Sequence, residues 1–262
     1  MIRTLIKNKY LLGQLTKKDI ELKYKDSVLG MLWSVLVPIF MIVIYTFVFS
    51  VVFRPQWISE TGSRFEFALM MYCGLAAFNM VSDVMGRSAG LIAANVNYVK
   101  KVIFPLELLP VMVTLTALFN SCINLAVLVA AKLVLTQSIS VTLPFVIIVY
   151  IPLLVFTAGV SLVLSAVSVY LKDIASVISV AITVLMYVSP VFYSLESVPN
   201  PYRIICGINP LTYMIENFRN VVLYGVMPNW TFLAISCLAA VIMAWLGSII
   251  FRRAKEGFAD VL

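Results

Sequence analysis

Few residues in the sequence could perform covalent chemistry. Residues 86–90 read GRSAG and match the G-x-S-x-G pattern that surrounds a nucleophilic serine. Ser88 would need a neighbouring base, usually a histidine, to act as a nucleophile, and the sequence has no histidine. The phosphate-binding pattern G-x-x-x-x-G-K-[ST], the HExxH zinc pattern and the EF-hand loop are also missing from it. The sequence therefore predicts that the chain is not an enzyme and holds neither a metal site nor a cofactor.

Two asparagines and a set of aromatic residues could instead line a path through a helical bundle. Asn120 and Asn124 follow Thr116 at intervals of four residues, so all three share one face of a helix. They could line a polar path or form hydrogen bonds between neighbouring helices, and both interpretations stay open. The aromatic residues lie near the ends of two apolar segments, as is ordinary at a membrane interface: Tyr45, Phe49, Phe53, Tyr187, Phe192 and Tyr193.

Lysines and arginines gather beside the apolar segments. The formal net charge is +7, and cations in such positions are typical of attraction to anionic lipid head groups, so no nucleic-acid partner is expected. Asp83 and Arg87 lie four residues apart, a spacing that predicts an ion pair within one helix. The cations that could contact phosphate, lipid head groups or a partner protein are Lys17, Lys18, Lys23, Lys25, Arg87, Lys100 and Lys101.

The elements that position these residues are long apolar segments. The chain is 62% hydrophobic and 12% charged, with a mean hydropathy of +1.03, far from the composition of a soluble domain. Segments of about 18 or more apolar residues are long enough to cross a bilayer as helices. The sequence predicts an all-α integral membrane protein of one domain, with six transmembrane helices at residues 29–53, 67–85, 106–131, 143–171, 174–195 and 230–251.

The distribution of cations predicts the orientation. Cytoplasmic loops retain Lys and Arg, and with six helices most of the 19 such residues fall on the side that holds both termini. Both termini are therefore expected in the cytoplasm. Residues 1–28 place basic and apolar residues on roughly opposite sides of a helix, which favours an interfacial helix over a plain cationic flank.

The connection at residues 196–229 is unusual because it combines several prolines with many apolar residues. Asn209 can cap a helix, Pro210 suits the first helical position, and Gly225 can end the helix in a left-handed conformation. The sequence therefore predicts a short helix from about residue 210 to 224 on the external side, half sunk into the outer leaflet.

Three segments carry a resemblance to a known family. They are DIELKYKDSVLGMLWSVLVP at 19–38, NYVKKVIFPLELLP at 97–110 and INPLTYMIENFRNVVLYG at 208–225. With these segments in this order and at this helix spacing, the chain resembles, nearly end to end, the permease subunits of type-2 ABC transporters. That family exports lipid-linked polysaccharides such as O-antigen, capsule and wall teichoic acid.

The resemblance implies a homodimer of permeases in the bacterial inner membrane, bound to two copies of a separate ABC ATPase that carries ATP and Mg. Residues 1–28 and 87–104 would contact that ATPase, the latter as a coupling or gate segment. The aromatic residues at the outer ends of the first and fifth helices would stack on sugars. Re-entrant helices within 196–229 would close the outer end, as an external gate that includes Asn209, Pro210, Glu216 and Arg219.

The expected function is the export of a lipid-linked, O-antigen-like or capsule-like polysaccharide from the cytoplasm across the inner membrane. A type-2 ABC permease for a drug or another small molecule is an alternative, and the identity of the neighbouring genes would separate the two. A gradient-driven carrier is a further alternative, but the helix centres lack the ionisable residues that such carriers usually need. A membrane-embedded glycan enzyme is disfavoured by the missing histidine and metal motifs.

Overall fold

A computed structural model describes residues 1–25, 27–48, 64–100, 104–171 and 173–262, with the side chains of Ile2 and Arg64 left out. Every regular element in these ranges is a helix, which confirms the predicted all-α class. The α-helices are α1 Ile2–Lys7, α2 Lys9–Tyr24, α3 Trp33–Phe47, α4 Arg64–Ser88, α5 Val96–Val99, α6 Leu108–Thr136, α7 Val146–Tyr170, α8 Ile174–Val188, α9 Arg203–Ile208, α10 Pro210–Arg219, α11 Trp230–Lys255 and α12 Phe258–Val261.

Five helical stretches in the described part of the chain are long and apolar enough to cross a membrane. They contain α3, α4, α6, α7 and α11. The helix α8 has 15 residues and is about 22 Å long, against a hydrocarbon core of about 30 Å. The count of six membrane-spanning helices therefore stays a prediction, and α8 is the helix on which it depends.

The helix α4 lies at the centre of the bundle. It packs against α3, α6, α7, α8 and α10, and its side chains are buried almost continuously from Phe67 to Met85. Within this stretch Asn79 is exposed and Asp83 is half-buried. Since they are four residues apart, they lie on one face of α4, as does Arg87, four residues further on. This face bears the polar groups described below.

The backbones of α7 and α11 approach so closely at two glycines that no side chain would fit between them. A Cβ atom on Gly159 would lie 2.6 Å from the backbone nitrogen of Ala244, and one on Gly247 would lie 2.5 Å from the carbonyl oxygen of Gly159. Small residues at such crossings let helix backbones approach in a membrane, where packing rather than water exclusion drives association. The two glycines therefore set the separation of α7 and α11.

The helix predicted between residues 210 and 224 is present, and its ends form as expected. The Asn209 side chain accepts a hydrogen bond from the Leu211 backbone N–H, and Pro210 occupies the first helical position. After α10 the chain continues through a π-helical stretch, Asn220–Tyr224, and Gly225 ends it with φ of 66°. The left-handed conformation explains why a glycine stands there.

Candidate functional site

Two ion pairs join α2 to α4. Arg87 donates from Nη2 to both carboxylate oxygens of Asp19, at 2.7 and 2.6 Å. Lys23 Nζ lies 3.6 Å from Asp83 Oδ1. The predicted Asp83–Arg87 pair within α4 is wrong, because α2 packs across this face and gives each residue a partner of opposite charge. The helices α2 and α4 run in opposite directions here. Lys23, one turn after Asp19, therefore pairs with Asp83, one turn before Arg87.

A cavity of about 620 Å³ opens beside the Asp19–Arg87 pair. It lies between α2, the end of α4, the short helices near residues 93–99 and the beginnings of α6 and α8. Its polar lining residues are Lys18, Asp19, Arg87, Asn95 and Tyr98. Much of the remaining lining is apolar, with Leu15, Leu22, Leu91, Leu109, Met112 and Ala175. We call this space the amphiphilic cavity.

Arg87, which lines the amphiphilic cavity, has a described hydrogen-bond partner for only one of its two terminal nitrogens. The Nη2 atom of Arg87 is held by Asp19, but its Nη1 atom is buried and has no hydrogen-bond partner among the described residues. A buried N–H group on a charged side chain normally has an acceptor, because leaving it without one costs about 1–3 kcal/mol or more.

Asn120 and Asn124 line a second, smaller pocket of about 160 Å³, together with Lys23, Asn79 and Asp83. Asn120 accepts a hydrogen bond from the Tyr24 hydroxyl at 2.9 Å, and Asn124 accepts one from the Tyr72 hydroxyl at 3.3 Å. These hydrogen bonds join neighbouring helices, as one of the two interpretations of the asparagines predicted. Yet Asn120 Nδ2 and Asp83 Oδ2 are buried without a described partner, so one donor and one acceptor beside this pocket have no hydrogen bond among the described residues.

The hydrogen bond between Tyr24 and Asn120 fixes the end of α2. Burial raises the pKa of the Tyr24 hydroxyl, and the nearby Asp83 carboxylate raises it further, although a hydrogen bond with Ser34 opposes the shift. The hydroxyl therefore remains protonated and able to donate. With the two ion pairs, this bond gives α2 three polar contacts to the bundle along one side.

None of the described residues among the predicted aromatic ones lines the asparagine pocket, and they differ in environment. Tyr45 is half-buried against the core. Tyr187 is exposed, and its ring centroid lies 6.2 Å from that of the half-buried Phe192. The Tyr193 hydroxyl lies 3.0 Å from the carbonyl oxygen of Tyr187 and 3.1 Å from that of Val188, so it bonds the end of α8. Phe49 and Phe53 lie outside the described residues.

The predicted cations that the structure describes do not form one site. Lys17 lies 3.9 Å from Glu21 on its own helix, whereas Lys18 lines the amphiphilic cavity and Lys23 faces Asp83. Lys25 and Lys100 are exposed. Lys101 lies outside the described residues.

The segment predicted as an external gate is tied to the chain that follows α8. Arg219 is fully buried and bonds Glu216 Oε1 at 3.0 Å. Glu216 also accepts a hydrogen bond from the Leu195 backbone N–H. Asn209 donates to the Ser189 hydroxyl at 2.8 Å. Arg219 further donates to the backbone carbonyls of Pro190, Val191 and Tyr193.

Several residues at these sites were not expected from the sequence. Asp19, Asn95 and Tyr98 line the amphiphilic cavity, and Asp83 lines the asparagine pocket. A signal for the ion pairs does exist in the sequence, since Asp19 and Lys23 show the same one-turn spacing of opposite charges as Asp83 and Arg87. Asn95 and Tyr98 offered no comparable signal.

The amino-acid sequence is similar over nearly its full length to several known proteins. The chain is 28% identical to the O-antigen export system permease protein RfbA of Klebsiella pneumoniae over 265 aligned residues, which cover 98% of this chain and 99% of that protein. It is 25% identical to the RfbA protein of Myxococcus xanthus, covering 99% and 98% of the two chains. It is 22% identical to the polysialic acid transport protein KpsM of Escherichia coli, covering 91% of each. Residues 10–223 match the model of ABC-2 type transporters, and the chain therefore belongs to the ABC-2 type transporter family.

Proposed function

We propose that this chain is the permease subunit of an ATP-driven exporter that moves a lipid-linked polysaccharide, O-antigen-like or capsule-like, out of the cytoplasm. The observation that supports this most is the similarity over nearly the full length to relatives named as O-antigen export permeases. A relative named for polysialic acid transport points to the same class of cargo. Full-length coverage supports a shared function better than a shared segment would.

The energy for export comes from a separate ATPase in this proposal. The sequence has no phosphate-binding loop of the G-x-x-x-x-G-K-[ST] type. Two permease copies would associate with two copies of the ATPase, which would bind ATP and Mg. Residues 1–28, which contain α2, and residues 87–104 would contact that partner. Both segments reach the amphiphilic cavity, so a displacement of either would alter it.

The proposed topology has six spans in the inner membrane with both termini in the cytoplasm. The cations of α2 then lie on the cytoplasmic side, as do Arg252 and Arg253 at the end of α11. The segment at residues 196–229 lies outside and acts as the external gate, held by Arg219 and Glu216. The exposed ring of Tyr187 and the asparagine pocket are candidate contacts for sugars along the path.

The test combines hydrolysis with export. The purified permease alone should hydrolyse no ATP, whereas its complex with a partner ABC ATPase should do so. Deleting the gene should leave polyprenyl-linked or other lipid-linked glycan inside the cell, and the wild-type gene should restore glycan at the surface. ATP hydrolysis by the isolated permease would refute the subunit assignment. Normal surface glycan in the deletion strain, with loss of resistance to a small toxic compound, would instead favour a small-molecule exporter.

A further inference from the structure

A lysine near the end of α6 points into the protein instead of toward water. Lysines close to the ends of membrane-spanning helices usually extend their ammonium group to the interface. Lys132 is instead buried, with 8% of its surface exposed, and it forms no ion pair with any described residue. A cation withdrawn from water needs other acceptors that compensate for the lost hydration.

All three N–H groups of the Lys132 ammonium have acceptors. Nζ donates to the Ser140 hydroxyl at 2.5 Å, to the Leu223 carbonyl at 2.6 Å and to the Val222 carbonyl at 3.2 Å. The two carbonyls belong to the π-helical stretch Asn220–Tyr224, which lies within the segment at residues 196–229. Since a lysine has three donors, the whole ammonium group is used to hold this end of the segment.

Two hydroxyls on the connection between α6 and α7 complete the contact. Thr142 donates to the Val221 carbonyl at 2.9 Å, and Ser140 donates to the Val222 carbonyl at 2.8 Å. The last carbonyls of a helix lack donors within the helix. Here the three consecutive carbonyls of residues 221–223 accept hydrogen bonds from side chains 79 to 91 positions earlier in the chain. We call Lys132, Ser140 and Thr142 the carbonyl clamp.

We propose that Lys132 is a positioning residue for export. It holds the end of the segment at residues 196–229 against the connection between α6 and α7, and so keeps the outer end of the transport path closed between cycles. This rests on the proposed function, in which that segment is the external gate. A cation at the carbonyl end of a helix is also favoured by the helix dipole, so the closed position is the stable one.

The two anchors of this segment differ in how readily they can be released. Arg219 is fully buried and pairs with Glu216, so its release would leave two charges in apolar surroundings. The carbonyl clamp joins one ammonium group to neutral acceptors. Lys132 also lines a pocket of about 260 Å³, together with Glu66, so a released ammonium would stay beside a carboxylate. We therefore expect the segment to open at its clamped end, with the Arg219 end as the hinge.

Hydrogen exchange of backbone amides measures this positioning in the full-length permease in detergent. Lys132→Met keeps the length of the side chain and removes its donors, and Thr142→Val removes one hydroxyl with little change of shape. Exchange of amides 220–226 should become about tenfold or more faster in Lys132→Met and about threefold faster in Thr142→Val, since a hydrogen bond from a charged group is worth more than a neutral one. The amides of α10 should keep their wild-type rates, because Arg219 still holds them.

Thr136→Val is the matched control. Thr136 lines the same pocket, but its hydroxyl donates to the Lys132 carbonyl within α6 and contacts Ser138. Exchange in this variant should equal that of the wild type. Wild-type exchange of amides 220–226 in both clamp variants would overturn the inference, as would equal acceleration in Thr136→Val. If Lys132→Met does not fold, Thr142→Val decides alone, because it removes one neutral hydrogen bond.

A leak measurement separates the positioning of the gate from general stability. The complex of permease and ATPase is reconstituted in liposomes without ATP, and the efflux of trapped K⁺ is followed with an electrode. Lys132→Met should leak severalfold faster than the wild type. Gly159→Ala, which disturbs the contact of α7 with α11 away from the clamp, should not. An equal leak in Gly159→Ala would overturn the inference. Faster exchange of amides 220–226 without a faster leak would refute the external gate of the proposed function and leave the positioning of the segment by Lys132 intact.

Discussion

Arg87 of α4 donates from Nη2 to both carboxylate oxygens of Asp19 in α2, at 2.7 and 2.6 Å. The contact fixes α2 against α4 and at the same time shapes one wall of the amphiphilic cavity. The pair is partly buried, so solvent screens it less than a surface pair. Its geometry can be tested by reversing the charges.

Asp19→Arg should lower the free energy of unfolding by about 1–3 kcal/mol, because it removes a charge-assisted bond and places two cations together. The double variant Asp19→Arg with Arg87→Asp should recover more than half of that loss. The measurement is the melting temperature in detergent. Lys17→Glu, which breaks an exposed pair with Glu21, is the control and should change stability by less than about 1 kcal/mol. Equal melting temperatures for the single and double reversals would show that the pair is not coupled.

Local sequence patterns predicted the helices well and their partners poorly. The ends of the helix after Asn209 depend on a capping side chain, a proline and a glycine within one segment, so they could be read directly. The partner of Arg87 could not be predicted in this way. Asp83 and Asp19 could each pair with Arg87, and only the packing of α2 decides between them. Likewise, nothing local shows that Arg219 is fully buried. Besides Glu216, three positions before it, its acceptors are carbonyls 26 to 29 positions away.

Arg219→Gln should be among the most damaging single changes in the external segment. It removes the charged partner of the Glu216 carboxylate, which keeps the Leu195 N–H as a donor, and it removes the guanidinium donor of several carbonyls after α8. Breaking a buried ion pair costs about 3–5 kcal/mol. We expect little folded protein in detergent extracts, measured by size-exclusion chromatography. Arg203→Gln is the matched control, since the Arg203 side chain is less buried and donates to one carbonyl, that of Leu195. Similar yields of the two variants would contradict the structural role of Arg219.

Gly159→Ala should push α7 away from α11. Its Cβ atom would lie 2.6 Å from backbone atoms of Met243 and Ala244, and backbone cannot move aside as a flexible side chain can. Overpacking of this kind costs about 1–3 kcal/mol. The melting temperature should fall accordingly. Gly13→Ala is the control, because nothing lies within 4 Å of its added Cβ, and a helix interior gains about 0.5–1 kcal/mol from alanine.

The proposed orientation can be tested with single cysteines. Cys122 and Cys237 are exposed, so both are first replaced by serine. Asn200→Cys, in the segment before α9, should react with a membrane-impermeant maleimide on intact spheroplasts. Asn97→Cys, in α5, should react only after the membrane is opened, because the cation-rich side is expected to be cytoplasmic. Both residues are exposed in the structure, so accessibility is decided by the membrane. Labelling of Asn97→Cys from outside would reverse the topology.

The aromatic residues allow a prediction in which transport and stability separate. Tyr193 bonds the carbonyl end of α8 through its hydroxyl, so Tyr193→Phe should destabilise the permease by about 0.5–1.5 kcal/mol. Tyr187 is exposed, so Tyr187→Leu should leave the melting temperature unchanged.

If the ring of Tyr187 lines a sugar path, its flat face can stack on the C–H surface of a pyranose, whereas leucine has no such face. By analogy with bases on aromatic rings, about 1–3 kcal/mol per contact is at stake. Weak repeated contacts suit a sliding polymer, because a transporter must also release its cargo. We therefore expect the double variant Tyr45→Leu with Tyr187→Leu to slow export of surface glycan severalfold, at normal expression and normal ATPase assembly. Unchanged export in this variant would mean that the two rings serve only to anchor α3 and α8 at the membrane interface, where leucine is an adequate substitute.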